Sequence, residues 1–302
     1  MPEKKPACSE CSSKSTLHTI QDSPESTMER QNKVIASTLS KIKYKLFVMS
    51  GKGGVGKSSI STNLATALSL KGYRVGLLDV DIHGPSVPHL LGLTGLLEVD
   101  QAKGIQPKRY SETLSVVSME SLLKDPDQAV LWKGPMKTSA IRQFVSDVDW
   151  GELDFLVIDS PPGTGDESMA ILKTVPDALS IVITTPQEIS LADVRKSINF
   201  LQYVKANILG VVENMSGLIC PHCAQEIDLF KKGGGQELAQ KYGLEFLGAI
   251  PLDPATVVAG DLGKPVVLLD MDCPAKRALL DLAERVIEVT ENSLEVLSSS
   301  HI

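Results

Sequence analysis

Residues 51–58, GKGGVGKS, combine the glycines, the lysine and the hydroxyl group that a phosphate-binding loop requires. They match the pattern G-x-x-x-x-G-K-[S/T] and lie between an apolar run typical of a buried strand, residues 44–50, and a segment with helical periodicity, residues 58–70. Glycines let successive backbone N–H groups face one anion, and a helix N-terminus adds partial positive charge. We therefore expect Lys57 to bind the β- and γ-phosphates of a nucleoside triphosphate and Ser58 to bind Mg²⁺.

Acidic residues follow two other predicted strands. The strand at residues 153–159 ends at Asp159, a Walker B pattern, and this carboxylate is expected to hold Mg²⁺ through water. In the PPGTGD that comes next, Gly163 can bring a backbone N–H close to the γ-phosphate, which predicts a switch loop. Asp79 and Asp81 end a strand at 74–79, and Asp81 is the candidate for positioning or activating the attacking water. The alternative is that both carboxylates only cap the next helix.

Lys52 is a further candidate, because the basic phosphate-loop motif does not require a lysine after its first glycine. The segment KGGVGK resembles the deviant Walker A signature of the MinD/ParA/nitrogenase iron protein class. The resemblance implies that Lys52 crosses a dimer interface to the partner's nucleotide and stabilises developing negative charge, as an arginine finger does. The alternative is a solvated loop lysine. The predicted catalytic residues are Lys52, Lys57 and Asp81.

The CPHC segment at residues 220–223 is the second group of residues that could carry chemistry. Two thiolates on a loop suit zinc or an iron–sulfur cluster, and the spacing does not distinguish these. Both kinds of site need about four ligands, so a symmetric dimer would complete the set with Cys220 and Cys223 of each chain. The alternatives are a redox pair or inert thiols. We expect His222 to be a bystander.

The other cysteines give weaker signals. Cys8 and Cys11 form a CxxC pair in a polar stretch, residues 1–27, which is predicted to be disordered; they are candidate metal ligands with an equal chance of no fixed role. Cys273 stands alone and is expected to be structural or free. An odd number of cysteines and a polar, charged N-terminus without an apolar leader are typical of a reduced, cytoplasmic location.

The elements that position these motifs alternate along the chain. Predicted strands lie at 44–50, 74–79, 114–117, 129–132, 153–159, 178–184, 208–213 and 243–250, and predicted helices at 28–42, 58–70, 135–145, 190–204 and 274–291. This alternation predicts a three-layer α/β/α P-loop NTPase fold with a mainly parallel sheet, in which ligands bind at the carboxyl ends of the strands. We expect a flexible tail at residues 1–40 and an ATPase domain, including the CPHC loop, at residues 41–302.

Composition narrows the possible partners. The 302-residue chain has a formal net charge of −7 and is 4% aromatic, so its core must be aliphatic. An acidic surface argues against nucleic-acid binding, which requires clustered Lys and Arg. No apolar run reaches the roughly 18 residues of a membrane span, so no membrane partner is expected.

Seven segments in order carry a family resemblance: GKGGVGKSS, DVDIHGPSVPHLLG, LWKGPM, DSPPGTGDE, TTPQE, VVENMSG and CPHC. From about Tyr44 onwards they resemble the Mrp/ApbC family of ATP-binding iron–sulfur cluster carriers. The resemblance implies a homodimer or a related heterodimer, a [4Fe–4S] cluster that bridges two CPHC loops and is delivered to apo iron–sulfur proteins, and slow ATP hydrolysis. It also implies that Asn214 binds the adenine, which suits an amide that offers both a donor and an acceptor.

One part of the chain departs from the family pattern. Eukaryotic-type relatives carry four N-terminal cysteines, whereas only Cys8 and Cys11 are present, which argues against a four-thiolate tail cluster within one chain. The alternative function is a MinD/ParA-like positioning ATPase, although the acidic C-terminal segment lacks the Lys and Arg of a membrane-surface helix. The predicted nucleotide-binding residues are Gly51, Lys52, Gly53, Gly54, Val55, Gly56, Lys57, Ser58, Ser59, Asp159, Gly163 and Asn214.

Overall fold

The computed structural model describes residues 24–81, 84, 86–100, 104–122, 134–220, 223 and 225–299. The helices are α1 (Pro24–Leu39), α2 (Lys57–Leu70), α3 (Val87–Leu90), α4 (Gly134–Asp147), α5 (Asp166–Thr174), α6 (Glu188–Tyr203), α7 (Gly234–Tyr242), α8 (Pro254–Asp261) and α9 (Pro274–Ser299). The strands are β1 (Ile42–Ser50), β2 (Val75–Asp79), β3 (Glu98–Asp100), β4 (Gly104–Gln106), β5 (Lys108–Arg109), β6 (Leu114–Ser118), β7 (Leu153–Asp159), β8 (Leu179–Thr184), β9 (Asn207–Ile219), β10 (Glu226–Ile227) and β11 (Phe246–Leu252).

Within the described residues, nine strands form one twisted sheet in the order β10-β9-β8-β1-β7-β2-β6-β5, with β11 also paired to β9. The pairings of β1, β2, β7, β8 and β11 are parallel, and only β5 and β10 run antiparallel to their neighbours. Parallel strands need crossover connections, which the helices between them supply. The carboxyl ends of β1, β2 and β7 therefore meet at one edge of the sheet.

The sheet separates two hydrophobic cores. Along β1, Leu46 and Val48 face one core, which includes residues of α2 and α9, and Phe47 and Met49 face the other, which includes residues of α1, α4 and α6. Successive side chains of a strand point to opposite faces, so a strand covered on both faces must be apolar throughout. This burial explains why β1 is a continuous apolar run and confirms the predicted three-layer α/β/α fold.

The predicted element boundaries agree closely at the centre of the sheet and less well at its β9 edge. Helices α5, α7 and α8 were not predicted, and β9 continues to Ile219 instead of ending at 213. The predicted strand at 129–132 lies outside the described residues. The tail predicted at 1–40 includes α1, whose Ile35 and Leu39 are buried against the domain; the division at residue 40 stays a prediction. Among the described helices, none combines the length and apolarity needed to cross a membrane.

Candidate functional site

The phosphate loop connects β1 to α2. Gly54 and Gly56 have φ angles of 79° and 81°, in the left-handed region where a Cβ is strained. Gly56 is also crowded, because a Cβ added there would lie 2.3 Å from Asn214 Nδ2. Gly54 and Gly56 are therefore required by backbone conformation, and Gly56 also by its close packing against Asn214 of β9. Helix α2 begins at Lys57 with its N-terminal amides directed to this loop.

Lys57 lies in a buried polar cluster with the end of β7. Its ammonium group donates to Asp159 Oδ1 at 2.8 Å, and the Ser61 hydroxyl donates to the same oxygen at 2.7 Å. The Lys57 and Asp159 side chains are 6% and 0% exposed. Lys57 Nζ is also 3.4 Å from Ser58 Oγ, so the lysine joins the two predicted Mg²⁺ ligands.

Asp159 Oδ2 is buried and has no hydrogen-bond partner among the described residues. An orphaned carboxylate oxygen is costly in a protein interior unless a ligand satisfies it. A carboxylate oxygen and a serine hydroxyl beside a phosphate loop are hard oxygen donors of the kind that Mg²⁺ prefers. Asp159 and Ser58 therefore fit a Mg²⁺ ion held together with nucleotide phosphates.

Asp79 lies beside Asp159, since β2 and β7 pair in parallel with these two residues in register. Asp79 is fully buried; it accepts hydrogen bonds from the backbone N–H of Asp81 at 3.1 Å and from the hydroxyl of Ser118 at 3.0 Å. Burial, together with the neighbouring Asp159 carboxylate, raises the pKa of Asp79 to about 8 against the opposing effect of these hydrogen bonds and of Lys57. Asp79 is thus the protonated member of a pair of neighbouring carboxyl groups.

The predicted switch loop at Gly163 and the Asp81 carboxylate both make local hydrogen bonds. The Gly163 N–H donates to the Ser50 carbonyl at 2.8 Å, with a Gly163 φ of 91°. The Asp81 carboxylate accepts from the backbone N–H of Gly84 at 3.2 Å. For the Gly163 N–H to donate to a phosphate, its hydrogen bond to the Ser50 carbonyl must break. Such a change of hydrogen-bond partner is typical of a switch loop. The predicted role of Asp81 at the attacking water stays a prediction.

Asn214 lies where a nucleoside can be recognised. Its Nδ2 donates to the Val55 carbonyl of the phosphate loop at 2.8 Å. Asn214 and Gly56 also line a cavity of about 270 Å³ whose other walls include Pro251 and Leu252. An apolar cleft with an amide at its edge, adjoining the phosphate loop, is suited to a purine base.

Lys52 lies partly exposed at the start of the loop. In the described part of the chain its ammonium group has no ion-pair or hydrogen-bond partner, whereas its carbonyl accepts from the Ser50 hydroxyl at 2.9 Å. The backbone of Lys52 is therefore fixed while its side chain remains available, as the predicted cross-chain role requires.

Cys220 and Cys223 lie at the tip of a hairpin formed by β9 and β10. Ile219 pairs with Glu226, and the Cys220 N–H donates to the Gln225 carbonyl at 2.9 Å, which closes the turn. Cys220 is half-buried and Cys223 is exposed, and neither is in a disulfide. Searching the described residues alone finds no group of three or more Cys, His, Asp or Glu side chains placed to hold a metal ion.

The remaining cysteines are not part of this hairpin. Cys273 is buried next to Asp253, and burial raises the pKa of its thiol, which makes it an inert structural thiol. Cys8 and Cys11 lie outside the described residues, so their candidate role as metal ligands stays a prediction.

Two buried residues were missed by the sequence analysis, one in the nucleotide site and one beside it. Ser61 lies one helical turn after Ser58, and the i, i+3 spacing on α2 could have indicated that it faces the same site. Glu213 is fully buried and accepts three hydrogen bonds beside Asn214. For Glu213, the available signal was an acidic residue at the end of a predicted strand, followed later in the chain by a glycine run at 233–235, where α7 begins.

Comparison with known proteins identifies a family and several close relatives of this chain. A family model described as ParA, the NUBPL iron-transfer P-loop NTPase, matches residues 41–287. The chain is 44% identical over 289 residues to an iron–sulfur cluster carrier protein of Methanocaldococcus jannaschii, covering 95% of this chain and 98% of the relative. It is also 44% identical over 257 residues to the human cytosolic Fe–S cluster assembly factor NUBP2, covering 83% of this chain and 95% of the relative.

Solved structures support the fold. A nucleotide-binding protein from Archaeoglobus fulgidus in complex with ADP is 36% identical, with a TM-score of 0.69 over 81% of this chain and 98% of that one. The cell division ATPase MinD of Pyrococcus furiosus is 21% identical, with a TM-score of 0.59 over 82% of this chain and 99% of that one. The second likeness is evidence for the fold alone.

Proposed function

This chain belongs to the NUBPL iron-transfer P-loop NTPases, and on that premise we propose that it is an ATP-dependent iron–sulfur cluster carrier. In this proposal it binds ATP with Mg²⁺, hydrolyses ATP slowly, and carries a [4Fe–4S] cluster that it delivers to apo iron–sulfur proteins. The cluster is cargo, and the nucleotide controls when the cargo is held or released.

The observation that carries the proposal is that one strand, β9, serves both sites. Asn214 bonds to the phosphate loop through Val55, and the same strand runs on to Ile219, next to Cys220 at the hairpin tip. Asn214 and Cys220 are six residues apart in the chain, so a movement of β9 at Asn214 can be passed along it to the thiol pair.

On the nucleotide side, this chain's residues bind and orient the triphosphate. Lys57 would neutralise the β- and γ-phosphates once its ammonium group leaves Asp159 Oδ1, and Asp159 and Ser58 would then hold Mg²⁺. Mg²⁺, when bound, supplies charge neutralisation between the phosphates. Lys52 acts across the dimer on the partner's nucleotide, and Asp81 orients the water that attacks the γ-phosphate.

On the cargo side, each chain supplies the thiolates of Cys220 and Cys223. A [4Fe–4S] cluster is held by about four cysteine thiolates, so two chains related by a twofold axis provide the complete set. The second chain is another copy or a related subunit. The acidic net charge of −7 fits a carrier that works without nucleic acid or membrane, in the cytoplasm.

Anaerobic reconstitution with iron and sulfide tests the proposal. We expect about four iron atoms per dimer and the electron paramagnetic resonance or Mössbauer spectrum of a [4Fe–4S] cluster. The double variant Cys220→Ala/Cys223→Ala should lose this iron, and Cys273→Ala should keep it because Cys273 lies in the core away from the hairpin. Iron that remained fully bound in the double variant would refute the cluster assignment.

Cluster delivery needs a separate measurement. The loaded protein is mixed with an apo-enzyme that requires a [4Fe–4S] cluster, and the recovered activity is followed with and without MgATP. We expect nucleotide to change the transfer rate. A rate independent of nucleotide would refute the control role of ATP while leaving cluster binding intact.

A further inference from the structure

Glu213 is a buried carboxyl group that none of the steps above uses. It lies in β9 between Thr184 of β8 and Ala249 of β11, in register with both, and is 0% exposed. Burying a carboxylate costs free energy unless hydrogen bonds compensate for the lost water. The hydrogen-bond donors to Glu213 therefore indicate its structural role.

These partners come from both ends of one segment. The Ser216 hydroxyl donates to Glu213 Oε1 at 2.6 Å, and the Gly233 N–H donates to the same oxygen at 2.9 Å. The Gly235 N–H, in the first turn of α7, donates to Oε2 at 2.5 Å. We name residues 216–233, which contain the thiol pair, the cysteine arm. Glu213 thus holds the departing end of the cysteine arm to its returning end.

The packing around Glu213 leaves no space for a side chain at the start of α7. A Cβ added at Gly235 would lie 2.9 Å from Glu213 Cβ and 3.1 Å from Thr184 Cγ2, so only glycine lets α7 begin this close to the sheet. The N-terminus of α7 faces this carboxyl group, and a backbone N–H of its first turn donates to it. Two acceptor oxygens with three donors form a clamp of fixed geometry.

Glu213 also adjoins the nucleotide site. Its neighbour Asn214 donates to Val55 O of the phosphate loop and borders the cavity beside Gly56. Adjacent residues of a strand contact opposite sides, and these contacts show that Asn214 faces the phosphate loop while Glu213 faces α7. A displacement of β9 at Asn214 therefore displaces the clamp on the cysteine arm.

We propose that Glu213 is the positioning residue that transmits nucleotide occupancy at Asn214 to the cysteine arm, and so sets the exposure and reactivity of Cys220 and Cys223. The biological purpose of this coupling rests on the proposed function. The coupling itself concerns the two thiols, whether or not they hold a cluster. Glu213 touches neither nucleotide nor cargo and acts through the arm.

The test follows thiol alkylation in the reduced, metal-free full-length protein, by mass spectrometry of the peptides that contain Cys220 and Cys223. The wild type is measured with and without the Mg²⁺ complex of a non-hydrolysable ATP analogue, and we expect the alkylation rate to change about tenfold, the effect of one charge-assisted hydrogen bond. Glu213→Gln replaces one acceptor oxygen with an NH₂ group that faces donors. It should alkylate at a rate that no longer responds to the analogue, with a nucleotide Kd within about threefold of the wild type because no nucleotide contact is lost.

Glu226→Gln is the matched control. It makes the same chemical change within the cysteine arm, at an exposed residue whose ion-pair partner is Lys232 and not a backbone N–H of α7. It should respond to the analogue as the wild type does. A nucleotide response retained in folded Glu213→Gln, or absent from the wild type, would overturn the proposal.

A second variant covers the case in which Glu213→Gln does not fold. Ser216→Ala removes the hydroxyl donor from Oε1 and leaves both backbone donors in place. We expect the alkylation rate without nucleotide to rise and the response to the analogue to shrink; an unchanged rate and response would overturn the proposal. Because no metal is present, failed iron loading in the earlier experiment and a failed thiol response are separate results.

Discussion

Replacing Asp79 with asparagine should stabilise the protein against unfolding in the absence of nucleotide. Asp79 is fully buried next to Asp159, and burial raises its pKa to about 8 from an ordinary value of 3.8. At neutral pH the folded protein keeps this proton, whereas the unfolded chain releases it. Folding must therefore take up a proton, and that uptake costs free energy.

The pH dependence follows from these two values. Below pH 3.8 both states carry the proton and there is no cost. Between pH 3.8 and about 8 the free energy of unfolding falls as the pH rises, at about 1.4 kcal/mol for each pH unit, because only the unfolded state loses its proton. The cost therefore grows by about 3 kcal/mol between pH 5 and pH 7, and it is constant above pH 8.

Asp79→Asn removes this cost and keeps the local hydrogen bonds. The amide oxygen can accept the Asp81 N–H, and the NH₂ group can donate to the Ser118 hydroxyl, which is able to reverse its role. Urea unfolding with EDTA, at pH 5 and pH 7, gives the free-energy difference between variant and wild type. We expect the variant to gain stability at both values and to gain about 3 kcal/mol more at pH 7.

The exposed carboxyl of Asp281 on α9 supplies the control, since Asp281→Asn should change stability by less than about 0.5 kcal/mol at either pH. A lower stability of Asp79→Asn at pH 7, or a gain that does not grow with pH, would refute the protonation argument. It would mean that the carboxylate form of Asp79 is stabilised by its surroundings.

Three other substitutions test the phosphate loop. Lys57→Ala leaves Asp159 without its buried cation and should lower the free energy of unfolding by about 3 kcal/mol in urea denaturation, besides abolishing nucleotide binding. Lys52→Ala should lower ATP turnover at least about a hundredfold while the nucleotide Kd changes less than about threefold; equal losses would count against a cross-chain role. Gly56→Ala adds a Cβ 2.3 Å from Asn214 Nδ2 at a φ of 81°, so calorimetry should detect weakened or lost nucleotide binding in a protein that still folds.

The centre of the sheet could be predicted from the sequence because local signals and burial agree there. β7 is buried along its length and ends at Asp159, as its apolar pattern predicts. The same holds for the phosphate loop, since the glycines at 51–56 can only serve a tight turn between a strand and a helix. Parallel strands covered on both faces leave little choice of register. The Lys57–Asp159 contact then follows from which strands are neighbours.

The β9 edge could not be predicted, because tertiary contacts decide its structure. Beyond Glu213 the strand contains Met215 and Gly217, whose φ angles of 57° and 71° interrupt a regular extended pattern. Pairing with β11 and β10 nevertheless continues the strand to Ile219. Helix α7 begins at a glycine run that predicts a loop, and it depends on a carboxylate 20 residues earlier in the chain for its first-turn hydrogen bonds. Neither feature has a local signal.

The proposed coupling between nucleotide and thiols is of a size that a clamp such as the one formed by Glu213 can carry. Coupling free energies between two binding sites are typically about 1–3 kcal/mol, and a ligand shifts a conformation only by its differential contact with the two states. A flexible loop around Cys220 would absorb a small displacement of β9 without a change at the thiols. A hydrogen bond to a charged group contributes about 1.5–3 kcal/mol, so altering one of the three bonds to Glu213 is sufficient for a coupling of this size. Linkage is reciprocal, and cargo bound at the cysteine arm must therefore alter nucleotide affinity at Asn214 by the same factor.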